Sequence, residues 1–104
     1  MVKINGNQYF PKLVDAFIEG NHVYIVQEYI HYTKFDKVHP LYMQRTFKKI
    51  SLDDAKHYLL ELLKALKALK EHKIYHCDIK PENFLFDMST KRGVLVDFGL
   101  AQNV

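Results

Sequence analysis

With 104 residues and 48% apolar side chains, the chain has material for one small domain with one core and too little for two. Its single cysteine excludes an internal disulfide framework, and no stretch reads as a signal peptide or membrane span, so a reducing, intracellular setting is expected. The net charge of +3 comes from scattered lysines, not from the dense basic run expected of direct nucleic-acid binding.

Residues 10–18 read as a strand entered through Pro11, and Val23 to Ile30 as a second one, both rich in β-branched and aromatic side chains. Glu19-Gly20-Asn21-His22 between them supplies a turn, so an antiparallel hairpin is expected. Residues 31–50 mix aromatics and lysines around Pro40, with room for a short helix after that proline. Ser51 is suited to cap a helix running from Leu52 to about His72, with Asp53 and Asp54 at the positive end of its dipole. Ala55, Leu59, Leu62, Leu63, Leu66 and Leu69 recur at helical spacing and predict one apolar face. Lys56, Lys64, Lys67 and Lys70 then form a solvated face. Short strands are expected at Ile74-Tyr75 and Phe84-Leu85-Phe86, and a turn over Ser89–Gly93 leads into Val94-Leu95-Val96, which delivers Asp97.

The chemistry is concentrated between these last elements. His76-Cys77-Asp78-Ile79-Lys80-Pro81-Glu82-Asn83 resembles the protein-kinase catalytic loop H-x-D-x-x-x-x-N, and Asp97-Phe98-Gly99 resembles that family's metal-binding triplet, which together imply phosphoryl transfer. Five positions separate Asp78 from Asn83, enough for a loop to aim both side chains into one cleft. Fourteen more reach Asp97, the length of a short hairpin that returns the chain beside the loop. Phosphoryl transfer needs an aligned hydroxyl, divalent metal on the phosphates and compensation for spreading negative charge. Asp78 could orient and deprotonate the hydroxyl, while Asn83 and Asp97 could offer oxygen ligands to Mg2+. A zinc reading of His72, His76 and Cys77 is weaker, because they lack a second ligand cluster.

In this order the chain resembles the middle of a protein kinase, from the fourth strand of the small lobe to the start of the activation segment. The resemblance implies an α+β, incomplete protein-kinase-like fold over residues 8–104, with residues 1–7 as a lead-in. It implies ATP and Mg2+ as cofactors, Asp78 as base, and Asn83 and Asp97 on the metal. Lys80, two positions after Asp78, resembles the serine/threonine class, where that lysine reaches the transferred phosphate. Gln27 would then be the gatekeeper behind adenine, and the main chain of Glu28 and Ile30 the hinge. The alternative for Val23–Ile30 is a plain core strand. His76 is expected to hold the loop to the Asp97-Phe98-Gly99 backbone rather than to act as a base.

A narrower likeness is carried by Asn83-Phe84-Leu85-Phe86, the spacer containing Lys91-Arg92, Leu95 to Gln102, and Leu63 to Lys67 in the long helix. These stretches are similar to the cell-division-control-protein-seven kinases. That implies a role in the cell cycle and DNA replication initiation, a protein substrate with a Ser/Thr acceptor, a regulatory activator subunit and a nuclear location. No direct contact with nucleic acid or a membrane is expected.

Several kinase parts find no match. Gly6, Gly20, Gly93 and Gly99 are too far apart for a G-x-G-x-x-G loop, and no V-A-I-K lysine or partner glutamate is identifiable. Cys77 stands where most of the family carries arginine, so nothing there offers a charge-assisted pair to an activation-loop phosphate. The expectation is a fragment or truncated form that is inactive by itself. The alternative is a catalytically inactive remnant that serves only as a partner-binding module.

Overall fold

The computed structural model describes residues 4–33 and 51–103. The helix expected after Pro40 lies outside them. Among the described residues the order is β1 (Leu13–Glu19), β2 (His22–Gln27), α1 (Leu52–Glu71), β3 (Ile74–Tyr75), a 3-10 turn (Pro81–Asn83), β4 (Phe84–Asp87), β5 (Arg92–Leu95) and β6 (Gln102–Asn103). The strands pair antiparallel as β1–β2, β3–β6 and β4–β5, so the α+β class is as expected.

The hairpin β1–β2 closes at the Glu19↔His22 pair, where Gly20 takes φ 62, a left-handed conformation that favours glycine. Both strands are shorter than expected. β1 starts at Leu13 because Phe10 and Pro11 turn inward, and Phe10 is only 1% exposed. β2 stops at Gln27, after which Ile30 enters the buried set. The Tyr9 carbonyl accepts the Leu95 N–H at 2.8 Å, so this lead-in lies against the end of β5.

Helix α1 has the expected ends. The Ser51 Oγ accepts the Asp54 N–H at 3.0 Å, and the His72 N–H returns to the Ala68 carbonyl at 3.1 Å. Lys73, at φ 56, then turns the chain into β3. The leucine stripe, however, divides. Ala65, Ala68 and Leu69 are buried and Leu62 and Leu66 half-buried, whereas Leu59 and Leu63 are exposed to solvent at 58% and 62%. What packs on α1 is the compact β4–β5 hairpin, which covers a narrower arc than the apolar residues span. The small side chains Ala65 and Ala68 let it come close.

The core joins Ile4, Phe10, Ala65, Ala68, Leu69, Ile74, Phe84, Phe86 and Leu95. Tyr58 sets its ring edge-on to Phe84 and Phe86, and burial, aided by the Glu82 carboxylate, pushes its phenol above the ordinary value. At Gly93 a Cβ would overlap the Phe84 ring and lie 2.9 Å from Glu61 Cβ, so only glycine fits under the helix. The turn after β4 is built by Asp87, whose Oδ1 accepts both the Ser89 N–H at 2.9 Å and its hydroxyl at 2.7 Å. Lys91 ties this turn to Asp54 in the first turn of α1.

Candidate active site

The segment between β3 and the 3-10 turn is shaped by internal hydrogen bonds. His76, 3% exposed, accepts the Asp78 N–H on Nδ1 at 3.1 Å. Its proton therefore sits on Nε2, which donates to the Val96 carbonyl at 2.8 Å. With both nitrogens engaged, the imidazole holds the loop to the strand leading into Asp97, as expected for a structural histidine. Phe98 packs edge-on against the ring with centroids 4.8 Å apart.

Asn83 is the hub of this region. It is buried, and its Nδ2 donates to the Asp78 carbonyl at 2.9 Å and to Asp78 Oδ2 at 3.1 Å. Its own carbonyl accepts the Val96 N–H at 2.8 Å, one residue before Asp97. One asparagine thus holds Asp78 through its side chain and the backbone just before Asp97 through its carbonyl. The Lys80 ammonium stands 3.6 Å from Asp78 Oδ1 on the solvent side, a separation set by a short surface loop.

Asp97 adopts φ 61, and its Oδ1 accepts the Gly99 N–H at 3.2 Å. Cys77 is also left-handed, at φ 68, with an exposed thiol 3.6 Å from the Tyr75 carbonyl. A non-glycine residue held there stores backbone strain, which the surrounding bonds must offset.

A cavity of about 240 Å³ lies between the hairpin and this loop, lined by Pro11, Ile25, Gln27, Asp97, Phe98 and Gly99. Gln27 and Asp97 thus share one cleft. Glu28, Ile30, Asp78, Lys80 and Asn83 are not among its lining residues. The Glu28 N–H donates to the Lys12 carbonyl at 2.9 Å, and Ile30 is 8% exposed. Pro11 and Ile25 were not anticipated as lining residues. Ile25 shares a strand face with Gln27 because side chains alternate at period two, a signal present in the sequence.

Mg2+ would need oxygen donors with open positions beside them rather than a closed protein cage. Mg2+ takes one or two protein carboxylates and leaves positions for phosphate and water. Here Asp97 supplies a carboxylate near solvent, and Asn83, with Nδ2 turned to Asp78, directs its Oδ1 elsewhere.

A family profile described as protein kinase domain matches residues 1–104. The chain belongs to the protein kinase family. It is 36% identical over 87 residues, 84% of its length, to the cell division cycle 7-related protein kinase of Homo sapiens. To the cell cycle serine/threonine-protein kinase hsk1 of Schizosaccharomyces pombe it is 35% identical over 95% of its length. It is also 39% identical, over 89% of its length, to serine/threonine-protein kinase D of Synechocystis. The chain covers 14%, 18% and 17% of those three proteins.

Among the described residues no helix is long and apolar enough to cross a membrane.

Proposed function

We propose that this kinase segment belongs to an ATP-dependent serine/threonine protein kinase of the cell-division-control-protein-seven type, acting in the cell cycle at DNA replication initiation. One observation supports the chemistry above all: Asn83 bonds through its side chain to Asp78 and through its backbone carbonyl to the Val96 N–H, one residue before Asp97. In this reading the catalytic-domain segment runs from residue 8 to 104, with 1–7 as its lead-in.

Asp78 orients the acceptor hydroxyl of a Ser/Thr protein substrate and takes its proton as the oxygen attacks the γ-phosphorus of ATP, whose bond to the β-phosphate oxygen breaks to release ADP. Lys80 offsets negative charge on the transferred group. Asn83 and Asp97 hold Mg2+, which when bound neutralises phosphate charge. Glu28 and Ile30 meet adenine through their main chain, with Gln27 behind it. The whole protein works with a regulatory activator subunit in the nucleus and contacts neither nucleic acid nor membrane directly.

By itself the 104-residue chain transfers no phosphate, since a glycine loop and its lysine are needed to cradle the triphosphate. The test is a peptide phosphorylation assay with Mg2+ and ATP. Robust transfer by the chain alone, lost in Asp97→Ala, would overturn that part. A second reading, an inactive module that binds a partner, is favoured by the exposed Leu59 and Leu63. It would be supported if a longer product containing this segment also failed to phosphorylate Ser/Thr peptides.

A further inference from the structure

Glu28 and Arg92, 64 residues apart in sequence, meet where the hairpin joins the rest of the molecule. Glu28 follows β2 directly. Arg92 opens β5, the strand whose far end leads to Asp97. The Arg92 Nη2 donates to Glu28 Oε1 and to the Gln8 carbonyl, both at 3.3 Å. The same Glu28 oxygen accepts the Lys12 N–H at 3.0 Å. One carboxylate therefore fastens the entrance of β1, the exit of β2 and the start of β5. A second fastening lies five residues on: Thr33 donates its N–H to the Phe86 carbonyl at 2.8 Å, and its Oγ1 accepts the Met88 N–H at 3.0 Å. Residues 28–33 are thus pinned at both ends to the β4–β5 hairpin. A pair as exposed as Arg92 and Glu28 adds little to overall stability, so its consequence is geometric.

We propose that Arg92, acting through Glu28, is a positioning residue for nucleotide. It holds the main chain of residues 28–30 in register with Asp97, so that the base and the metal-bound phosphates of one nucleotide engage together. The proposal rests on the nucleotide-binding reading above. A strand links the two ends of the site, and a misplacement at one end is carried to the other as lost alignment.

The test uses the 104-residue chain, with Arg92→Gln, Glu28→Gln and Arg92→Lys. Each is titrated with adenosine, and with ADP in the presence and absence of Mg2+, following the backbone amides of residues 28–30 and 97–99 by NMR. In the unaltered chain Mg2+ should tighten ADP binding by about fivefold or more, falling to about twofold or less in Arg92→Gln and Glu28→Gln. Adenosine affinity should stay unchanged in Arg92→Gln, and Arg92→Lys, which keeps a cation, should recover part of the Mg2+ effect. An undiminished Mg2+ effect in Arg92→Gln and Glu28→Gln overturns the proposal. So does an equal loss of adenosine and ADP affinity with the Mg2+ effect intact, the result of a merely structural role. If the unaltered chain binds neither adenosine nor ADP, the nucleotide reading fails and takes this proposal with it, before any variant is compared.

Discussion

The β1–β2 hairpin and the α1/β4–β5 unit are built from similarly apolar sequence, yet they end in opposite environments. In α1, β4 and β5, Ala65, Leu69, Phe84, Phe86, Val94 and Leu95 are all buried. In the hairpin every residue from Val14 to Gln27 is exposed, including Ile18 at 74% and Val23 at 69%. Local β-propensity and a good turn suffice to pair two strands, but a two-stranded ribbon has two faces and cannot cover either with its own side chains. The α1 unit closes because helix and hairpin present one apolar face to each other. Stability and the catalytic-loop geometry should therefore reside in the packed unit, while the hairpin is held mainly through its ends.

The largest effect expected on that division is catalytic. In a longer active protein carrying this segment, Asp78→Asn should lower phosphate transfer by about 10²–10⁴ while leaving nucleotide binding nearly intact. Steady-state rates beside a nucleotide titration would check it, and an unchanged rate would remove Asp78 from its role.

The comparison itself is probed by truncating one side chain on each side. Leu69→Ala should destabilise the chain by about 2–5 kcal/mol in denaturant unfolding, since it opens a cavity in a close-packed core. Ile18→Ala should stay within about 0.5 kcal/mol, as for surface positions generally. Equal losses would mean that the hairpin faces are covered after all.

The glycines give a smaller contrast with different causes. Gly93→Ala drives a methyl group into the Phe84 ring and should cost about 1–3 kcal/mol by overpacking. Gly20→Ala meets open space and suffers only from its left-handed φ, at about 1–2 kcal/mol. Thermal melts of both variants, with Leu69→Ala as reference, would rank them.

Leu59→Glu combined with Leu63→Glu should leave the unfolding midpoint nearly unchanged and reduce self-association in sedimentation, because both side chains lie outside the core. A concentration-independent monomer in the unaltered chain would show that the exposed stripe has no such consequence.

The smallest effect is a pH dependence. Hydrogen bonds from the Ser89 hydroxyl and N–H hold the Asp87 carboxyl below its ordinary value. A lowered folded pKa stabilises the fold above the unfolded value of about 3.9 and loses that contribution as pH falls through the folded one. The stability gap between the unaltered chain and Asp87→Ala should accordingly be present at neutral pH and shrink in acid. A gap that grows on acidification would reverse the assignment.

Much of this was legible in the residues. The ends of α1 follow from Ser51, the acidic first turn and the loss of periodicity after His72, all local signals. The loop and hairpin that carry Asp78, Asn83 and Asp97 were legible for the same reason: the spacing of those residues encodes a loop and a hairpin of definite length. The apolar face of α1 was legible too, but not which part of it is covered, since periodicity reports which side chains could be buried and not how broad a surface arrives to bury them. The pairing of β3 with β6 was not anticipated, because two-residue strands carry no period of their own.

The sequence by itself determined the kinase motif, the helix with its caps and the two main hairpins, because each depends on neighbours within a few residues and on short-range sterics. Only the tertiary structure decided which leucines belong to the core, why residue 93 must be glycine, and that Glu28 reaches Arg92 across the junction. Those outcomes depend on surfaces and hydrogen-bond partners brought together from distant parts of the chain. No local pattern records them, because packing and directional bonding are satisfied by whatever element arrives and not by the residue that waits for it.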